Sequence, residues 1–509
     1  MIPRQYQRDA GNAIYTEFAN GTKRTLVEMA TGLGKSFVIG MIANHENNSR
    51  NKTLIIVHRK ELINQLAGAV SSFGIDVDIE QAKEFASHHA PVVVASVASM
   101  KGDRLARFNR EHFDLVIADE AHHSVCDGWK AIIHSFDARA IGFTATAYRS
   151  DKQNLGSVFE TLAYRYNLRD GIKDGWLSPI TTEQIPIKVD ISKARSRGGD
   201  LDAGDLDEAI RPYLEQILTD LYQRAPARHV LAFLPLVKTS KMCAEIALKM
   251  GWNASHVDGT SADSGQIIQA FKDGHINFLS NADLLTEGAD IPITDLILWL
   301  KPTKSTGRLV QGLGRGTRLY EGKTDCYFPD YLWLAGNHKI IRPVNLMAED
   351  EEEAQKMLEK SACGKPCDLV ELESEARVEI ANEREAKIAK YIDENRHKKK
   401  KQVDIDEYGY YIGSGDIINY SPTFDWEKQP ATDSQKQRLD EIGLDNTSVT
   451  RGFAELVISE VSKREGLATP KQIRWLHRQG INPDGMTKDQ ASERIDKRNR
   501  QLQHIRSKR

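Results

Sequence analysis

Ala30-Thr31-Gly32-Leu33-Gly34-Lys35-Ser36 follows the short apolar run Thr25-Leu26-Val27 and opens a second apolar stretch, Phe37-Val38-Ile39-Gly40-Met41-Ile42-Ala43. A strand, a glycine-rich bend and a helix in that order form a cradle for phosphate. The glycines let the backbone turn several N–H groups toward one anion, and the helix start adds the positive end of its dipole. Lys35 can reach the terminal phosphates of a nucleotide, and Ser36 can ligate Mg2+. The strict template also asks for a glycine five positions before Gly34, where Met29 stands. The heptapeptide therefore predicts a strand-loop-helix unit of an α/β sheet, and its weight depends on what lies further along the chain.

Outward from it, short β-rich runs alternate with helical stretches between Lys52 and Thr146: Thr53-Leu54-Ile55-Ile56-Val57, Val92-Val93-Val94-Ala95, Leu115-Val116-Ile117-Ala118 and Ile141-Gly142-Phe143-Thr144. This rhythm predicts a parallel sheet with crossover helices. It restarts at His229-Val230-Leu231-Ala232-Phe233, continues through Phe278-Leu279-Ser280 and Leu296-Ile297-Leu298-Trp299, and ends near Asp325-Cys326-Tyr327-Phe328. A second α/β domain is expected there. Ser196 to Asp205, rich in glycine and aspartate, reads as a loop without periodicity.

From Met347 to Lys401 the chain is charged, acidic at Glu349-Asp350-Glu351-Glu352-Glu353 and basic at His397-Lys398-Lys399-Lys400-Lys401, which fits one or two long helices. Val403 to Pro430 reads as an aromatic- and glycine-rich connector. The last eighty residues hold a duplication: Ala431, Thr432, Gln435, Leu439, Gly443, Thr450 and Ala454 recur 37 positions later as Ala468, Thr469, Gln472, Leu476, Gly480, Thr487 and Ala491. Thr432, Thr469, Thr450 and Thr487 read as helix N-caps, and Gly443 and Gly480 as helix stops, so each unit is a helix pair. The expected division is 1–150 and 151–345 for the two α/β domains, 346–402 for a charged helical segment, 403–429 for the connector and 430–509 for the repeats.

Composition narrows the class. A chain of 509 residues with 40% hydrophobic and 28% charged residues is of ordinary globular make-up, and it has no apolar run near the ~18 residues that span a bilayer. Met1-Ile2-Pro3-Arg4 carries no signal-peptide core, so a cytoplasmic location away from membranes is expected. Five scattered cysteines do not make a disulfide framework, and Cys363-Gly-Lys-Pro-Cys367 lacks the second ligand pair that zinc requires. With a net charge of −3, any nucleic-acid contact must come from local basic faces. The segment from Leu467 to Arg509 is one, with eleven Lys/Arg against four Asp/Glu for a net of +7. A solvated helix face would look the same.

The run Leu115-Val116-Ile117-Ala118 delivers Asp119-Glu120-Ala121-His122-His123 at its C-terminal tip, the edge where such sheets bind ligands. Asp119 can hold Mg2+, and Glu120 can orient or deprotonate an attacking water. Gln311-Gly312-Leu313-Gly314-Arg315-Gly316-Thr317-Arg318 sets two arginines three apart in the second α/β domain, placed to stabilise charge on a transferring phosphoryl group.

These motifs resemble those of superfamily II helicases, and the match runs along most of the first 345 positions. Arg4-Gln5-Tyr6-Gln7 is similar to the adenine-reading element, with Gln7 the reader; Met29 to Ser36 resembles motif I, and Val57-His58-Arg59-Lys60-Glu61-Leu62 motif Ia. Asp119 to His123 resembles motif II in its DEAH form and Thr144-Ala145-Thr146 motif III. Thr286-Glu287-Gly288-Ala289-Asp290-Ile291-Pro292 resembles motif V, and Gln311 to Arg318 motif VI. The spacing and the double histidine look most like RadD-like DEAD/DEAH-box helicases, including phage relatives and those allied to restriction translocases.

The resemblance implies two tandem RecA-like parallel-sheet domains followed by an all-α region, with ATP and Mg2+ in the cleft between the first two. Catalysis would fall to Glu120, Lys35, Asp119, Gln311, Arg315 and Arg318. Nucleotide binding would fall to Gln7, Arg4, Thr31, Gly32, Leu33, Gly34, Lys35, Ser36, Gly288 and Asp290, with Ser36 and Asp119 on the metal. Arg59, Thr144 and Thr286 would lie near the nucleic-acid track. Ala147 stands where the family often has proline after motif III, and the zinc-binding tail of RadD relatives is replaced by the duplication.

The implied activity is an ATP-dependent DNA helicase or translocase of recombination, repair or replication, acting as a monomer on single-stranded, forked or branched DNA. The C-terminal repeats are available to a protein partner. RNA as the track and a non-catalytic scaffold subunit are the alternatives. A hidden nuclease has only the fragments Pro329-Asp330 and Glu385-Ala386-Lys387 to draw on. Trp475, between Arg474 and Leu476 and two residues from His477, reads as core of its helix pair before it reads as a base-stacking surface.

Overall fold

The apolar runs around the glycine-rich heptapeptide become one sheet: β1 (Arg24–Met29), β2 (Thr53–Val57), β3 (Val77–Glu80), β4 (Val92–Ser96), β5 (Leu115–Asp119), β6 (Arg139–Thr144) and β7 (Thr161–Tyr166), in the order β3-β4-β2-β5-β6-β1-β7. Every pairing is parallel, so all the C-terminal strand ends share one edge. β2 and β4 are buried along their whole length, as runs rich in Val and Ile that are covered on both faces must be. The computed structural model describes residues 2–58, 60–121, 127–145, 155, 157–261, 263–286, 289–348, 351–362, 364–394, 402–418, 420, 422, 427–464, 466–483 and 485–506. Within it the chain divides into two compact units, Met1–Ala376 and Arg377–Arg509.

The first sheet does not end at position 150. β7 lies beyond it and pairs with β1 from Thr25↔Thr161 to Met29↔Tyr166, so that β1 becomes an interior strand. Thr161-Leu162-Ala163-Tyr164-Arg165-Tyr166 is half-buried rather than apolar, and for that reason it gives no strand signal on its own.

The second sheet is built from β8 (Ile180–Asp190), β11 (Val230–Phe233), β12 (Ala254–His256), β13 (Phe278–Asn281), β14 (Leu296–Trp299), β15 (Cys326–Leu334) and β16 (Cys367–Asp368), with a separate ribbon of β9 (Ser196–Arg197) and β10 (Asp200–Leu201) between β8 and β11. Its order is β12-β13-β11-β14-β15-β8-β16, parallel except for β16. The expected loop at 196–205 is this ribbon plus the start of the Ala203–Ile210 helix. Asp200 anchors it by accepting from Thr303 Oγ1 at 2.6 Å and from the Lys304 amide at 2.8 Å, contacts that leave no periodic trace. The end at 345 moves as well, because the Glu351–Ser361 helix buries Ala354 and Met357 in the first unit's core and β16 pairs with β8.

The predicted charged segment is two helices, Glu351–Ser361 and Leu369–Glu394; its basic end at 397–400 and Lys401 lie outside the described residues. Cys363 lies outside them too, while Cys243, Cys326 and Cys367 are free, and no cluster of three or more His, Cys, Asp or Glu placed to hold a metal occurs among the described residues. No described helix is long and apolar enough to cross a membrane. Asp330 of the nuclease-like fragment sits inside the fold on β15, paired with Arg342 at 3.3 Å, and Glu385-Ala386-Lys387 lies within the Leu369–Glu394 helix.

In the second unit the duplication repeats down to single hydrogen bonds. Thr432 caps the Asp433–Ile442 helix with Gln435, as Thr469 caps the Pro470–Arg478 helix with Gln472. Gln435 Nε2 then donates to Arg451 O at 3.1 Å and Gln472 Nε2 to Lys488 O at 2.9 Å, locking each first helix to its second. Ala431 N to Val449 O recurs as Ala468 N to Met486 O, both at 2.9 Å. Thr450 and Thr487 begin the second helices as expected, although Thr450 caps without a side-chain bond. The connector belongs to the same core: Val403, Ile405, Tyr408 and Ile417 are buried with Leu439, Leu476 and Ala491, and Trp475 packs against that cluster. The tyrosines of Ile405–Tyr411 and the isoleucines of Gly415–Ile418 lie on helices too short for a periodic signal.

Candidate nucleotide site

β1 ends at Met29, and Ala30 N donates to Tyr166 O at 3.1 Å, so the heptapeptide springs from a strand held on both sides. Gly32 and Gly34 take φ values of +91° and +78°, the left-handed region open to glycine, and Gly34 caps the Lys35–Asn48 helix. A Cβ at Gly34 would lie 2.8 Å from Gln7 Nε2 and would push that amide off the loop. The result is a loop whose amides turn inward at a helix start, the geometry that receives phosphate.

At the tip of β5, Asp119 Oδ1 accepts from the Glu120 amide at 3.1 Å, and Glu120 itself adopts φ +53°. Lys35 Nζ donates to Glu120 Oε1 at 3.0 Å, with both side chains nearly buried. The cation of the loop and the carboxylate of the strand tip are thus brought from 85 positions apart into one pair.

The Thr306–Gly316 helix delivers Gln311 and Arg315, and Arg318 follows it. Arg315 is buried and fixed by carbonyls: Nε and Nη2 donate to Thr286 O at 3.1 and 3.0 Å, and Nη1 donates to Ala289 O at 2.7 Å. Arg318 pairs with Asp290 through Nη1, and burial lowers its guanidinium from the usual arginine range, where it remains charged. Gly314 lets this helix lie against the loop, since a Cβ there would stand 2.6 Å from Thr31 Cβ; Arg318 Cγ lies 3.6 Å from where one would stand on Gly32.

These residues enclose a cavity of about 440 Å3. Arg4, Thr31, Gly32, Gly34, Lys35, Ser36, Asp119, Glu120, Asp290, Gln311, Arg315 and Arg318 line it with Leu62 and Pro292, the last residues of the motif Ia and motif V stretches, and so do Gln65, Trp176 and Leu319, to which no motif points. Leu33 faces the core and offers its carbonyl to Tyr6 Oη and Gln7 Nε2 at 3.0 and 3.2 Å. Gln7 is 6% exposed and does not line the cavity. Trp176 sits in a loop just after Gly175, and its only sequence signal is a large aromatic beside a turn glycine.

Gly288, Glu287, Arg59, His122, His123, Thr146 and Ala147 lie outside the described residues. Thr144 ends β6 fully buried, and Thr286 is 6% exposed, so neither hydroxyl meets solvent in this arrangement. Thr286 instead contributes its carbonyl to Arg315.

Residues 1–149 match the family described as type III restriction enzyme, res subunit, and residues 213–320 match the helicase conserved C-terminal domain. The chain is 31% identical over 369 residues to the protein named "Putative ATP-dependent helicase IRC3" of Saccharomyces cerevisiae, spanning 68% of this chain and 53% of that one. It is 28% identical over 364 residues to the type I restriction enzyme EcoAI endonuclease subunit of Escherichia coli, spanning 63% of this chain and 44% of that one. It therefore covers about half the length of these relatives. Among solved structures, the ATP-dependent type ISP restriction-modification enzyme LlaBIII bound to DNA shares the fold with a TM-score of 0.55 at 16% identity, over 98% of this chain and 42% of that one.

Proposed function

We propose, for a chain that belongs to the superfamily II helicases of the restriction-translocase type, that it hydrolyses ATP to move along DNA in recombination, repair or replication. One observation carries the reading. The glycine-rich loop and the Asp119–Glu120 pair of the first sheet share a single cavity with Gln311, Arg315 and Arg318 from beside the second.

Two cations in that cavity rest against carboxylates, Lys35 on Glu120 and Arg318 on Asp290. A triphosphate offers both a denser anionic partner, so Lys35 turns to the phosphates and Glu120 is released to hold and deprotonate the attacking water. Ser36 and Asp119 line the same wall and present hard oxygen donors that suit Mg2+, which when bound would neutralise phosphate charge. Arg315 needs no reorganisation, because three carbonyl bonds already hold its guanidinium. Departure of the terminal phosphate lets the two resting pairs re-form and loosens the contact between loop and arginine helix. Repeated tightening and loosening of that contact moves the two sheets along a strand.

Glu120→Gln should bind ATP as the wild type does and lose about 10²- to 10⁴-fold in turnover, whereas Lys35→Ala should weaken both; wild-type turnover in Glu120→Gln overturns the assignment. ATPase stimulation compared across single-stranded DNA, duplex DNA, branched DNA and RNA tests the track. Stimulation by RNA alone would assign an RNA helicase, and absence of hydrolysis with every polymer would favour a scaffold.

A further inference from the structure

The two helix pairs of the second unit share a 37-residue register and their locking hydrogen bonds, so each is a template for the other. They differ in charge: residues 431–467 carry five Lys/Arg against seven Asp/Glu, and residues 468–504 carry eight against four. The difference falls on a defined face. In the first pair, Phe453, Val457 and Val461 form one row of the Arg451–Lys463 helix, and Val457 is fully buried. The connector covers that helix: the Tyr420 ring stacks on Phe453 at 5.1 Å, and Gly452 N donates to Glu427 O at 3.1 Å. At the matching positions of the Lys488–Arg506 helix stand Gln490, Arg494 and Arg498. Gln490 and Arg494 are exposed, Arg498 is half-buried, and the exposed Lys497 lies beside this row, three positions from Arg494.

We propose that this face of the second helix pair docks DNA, with Arg494 and Lys497 on backbone phosphates and the first pair as its scaffold. The inference goes beyond the motor and takes only its polymer, DNA, from the proposed function. The cations of the preceding Pro470–Arg478 helix are spent inside the unit. Arg474 Nη1 donates to Gln402 O at 2.8 Å, Arg478 meets Glu407 at 3.4 Å, and the His477 ring stacks on Tyr411 at 4.4 Å. Arg494 and Lys497 have no ion pair among the described residues. The carboxylates of their helix, Asp489, Glu493 and Asp496, lie beyond Lys497, from about 100° to 160° round the axis from Arg494. Like charges three positions apart repel on a helix, and a phosphate between them relieves that repulsion through charge-assisted hydrogen bonds. Where the first pair buries valine against its own chain, the second thus presents a basic row to a polyanion. Such contacts hold the backbone and read no sequence.

Arg494→Gln/Lys497→Gln in the full-length chain removes two charges and keeps good helix formers. Binding of labelled DNA, titrated across salt without nucleotide, should weaken. The slope of log affinity against log salt should flatten by about 1.8 on duplex and about 1.4 on a single strand, at about 0.9 and 0.7 for each of two lost phosphate contacts. Lys471→Gln/Arg500→Gln removes the same charge elsewhere in the second pair and should leave the slope near that of the wild type. Both variants should keep the wild-type melting temperature and DNA-free ATPase, because these side chains belong neither to the second unit's core nor to the nucleotide cavity. An unchanged slope in the Arg494/Lys497 variant, an equal loss in both variants, or a loss seen with one DNA sequence and not with another overturns the proposal. Wild-type binding of RNA without binding of DNA overturns the choice of polymer. The predicted flattening in a chain whose ATPase no DNA stimulates would uphold the docking face and overturn the motor reading instead.

Discussion

Glu120 holds a left-handed backbone at φ +53°, which costs a non-glycine residue about 1–2 kcal/mol, and it does so at the strand tip where its carboxylate meets Lys35. The sheet on one side and the ion pair on the other over-determine that conformation. Asp330 shows the opposite balance. Full burial pushes its carboxyl up to about 6 although Arg342 stands 3.3 Å away, so desolvation outweighs the ion pair. Because the folded form keeps its proton to a higher pH than the unfolded chain, the stability this gives is complete below about pH 4 and is lost as pH rises through about 6. Asp330→Asn should therefore flatten the fall of melting temperature between those values relative to the wild type. Parallel curves for the two proteins would show that Asp330 ionises normally.

The Thr306–Gly316 helix carries glycine at 312, 314 and 316, where a helix former would be intrinsically better by about 1 kcal/mol at each position. Contact overrides propensity: a Cβ at 312 would stand 2.2 Å from the Trp299 ring, one at 314 2.6 Å from Thr31 Cβ, and one at 316 2.3 Å from Cys326 Sγ. Only the contact at Gly314 is with the phosphate loop. Gly314→Ala should push the arginine-bearing helix off that loop, leaving ATP affinity within about threefold while cutting hydrolysis by about 10²-fold or more, since arginines in this role are worth 10³- to 10⁵-fold. Hydrolysis at the wild-type rate would mean that the loop yields instead.

Across the whole molecule, every residue of the proposed nucleotide site lies in Met1–Ala376. A fragment ending near Ser150 would strip β7 from β1 and remove the arginines as well, so it should bind nucleotide weakly and hydrolyse almost none. A fragment ending at Ala376 keeps both sheets and should retain basal ATPase close to that of the full chain. Cutting after Lys428 would instead leave Val403, Ile405, Tyr408 and Ile417 stripped of their core partners. If the second unit docks DNA, the full chain should show a steeper fall of log affinity with log salt than the 1–376 fragment, by about 0.7 to 0.9 per lost phosphate contact. Equal slopes would point to a protein partner for the repeats.

The sequence by itself determined what local chemistry can write. Glycines at 32 and 34, Lys35 and Ser36, the carboxylates after an apolar run, and the arginines three apart each stand in a short pattern whose residue types have one shared use. The apolar runs likewise spelled out most interior strands, because a strand buried on both faces must be apolar throughout. Thr432 and Thr469 announced their caps for a similar reason, since a capping box closes within four residues. Only the tertiary structure decided the half-buried edges β3, β7, β12 and β16, the anchoring of 196–205 by Asp200, and the absorption of the connector into the second unit's core. It also turned Gln7 toward Leu33 and set Trp176 on the cavity wall. Each of these rests on a partner tens to hundreds of residues distant, and a pattern read along the chain carries no term for such a contact.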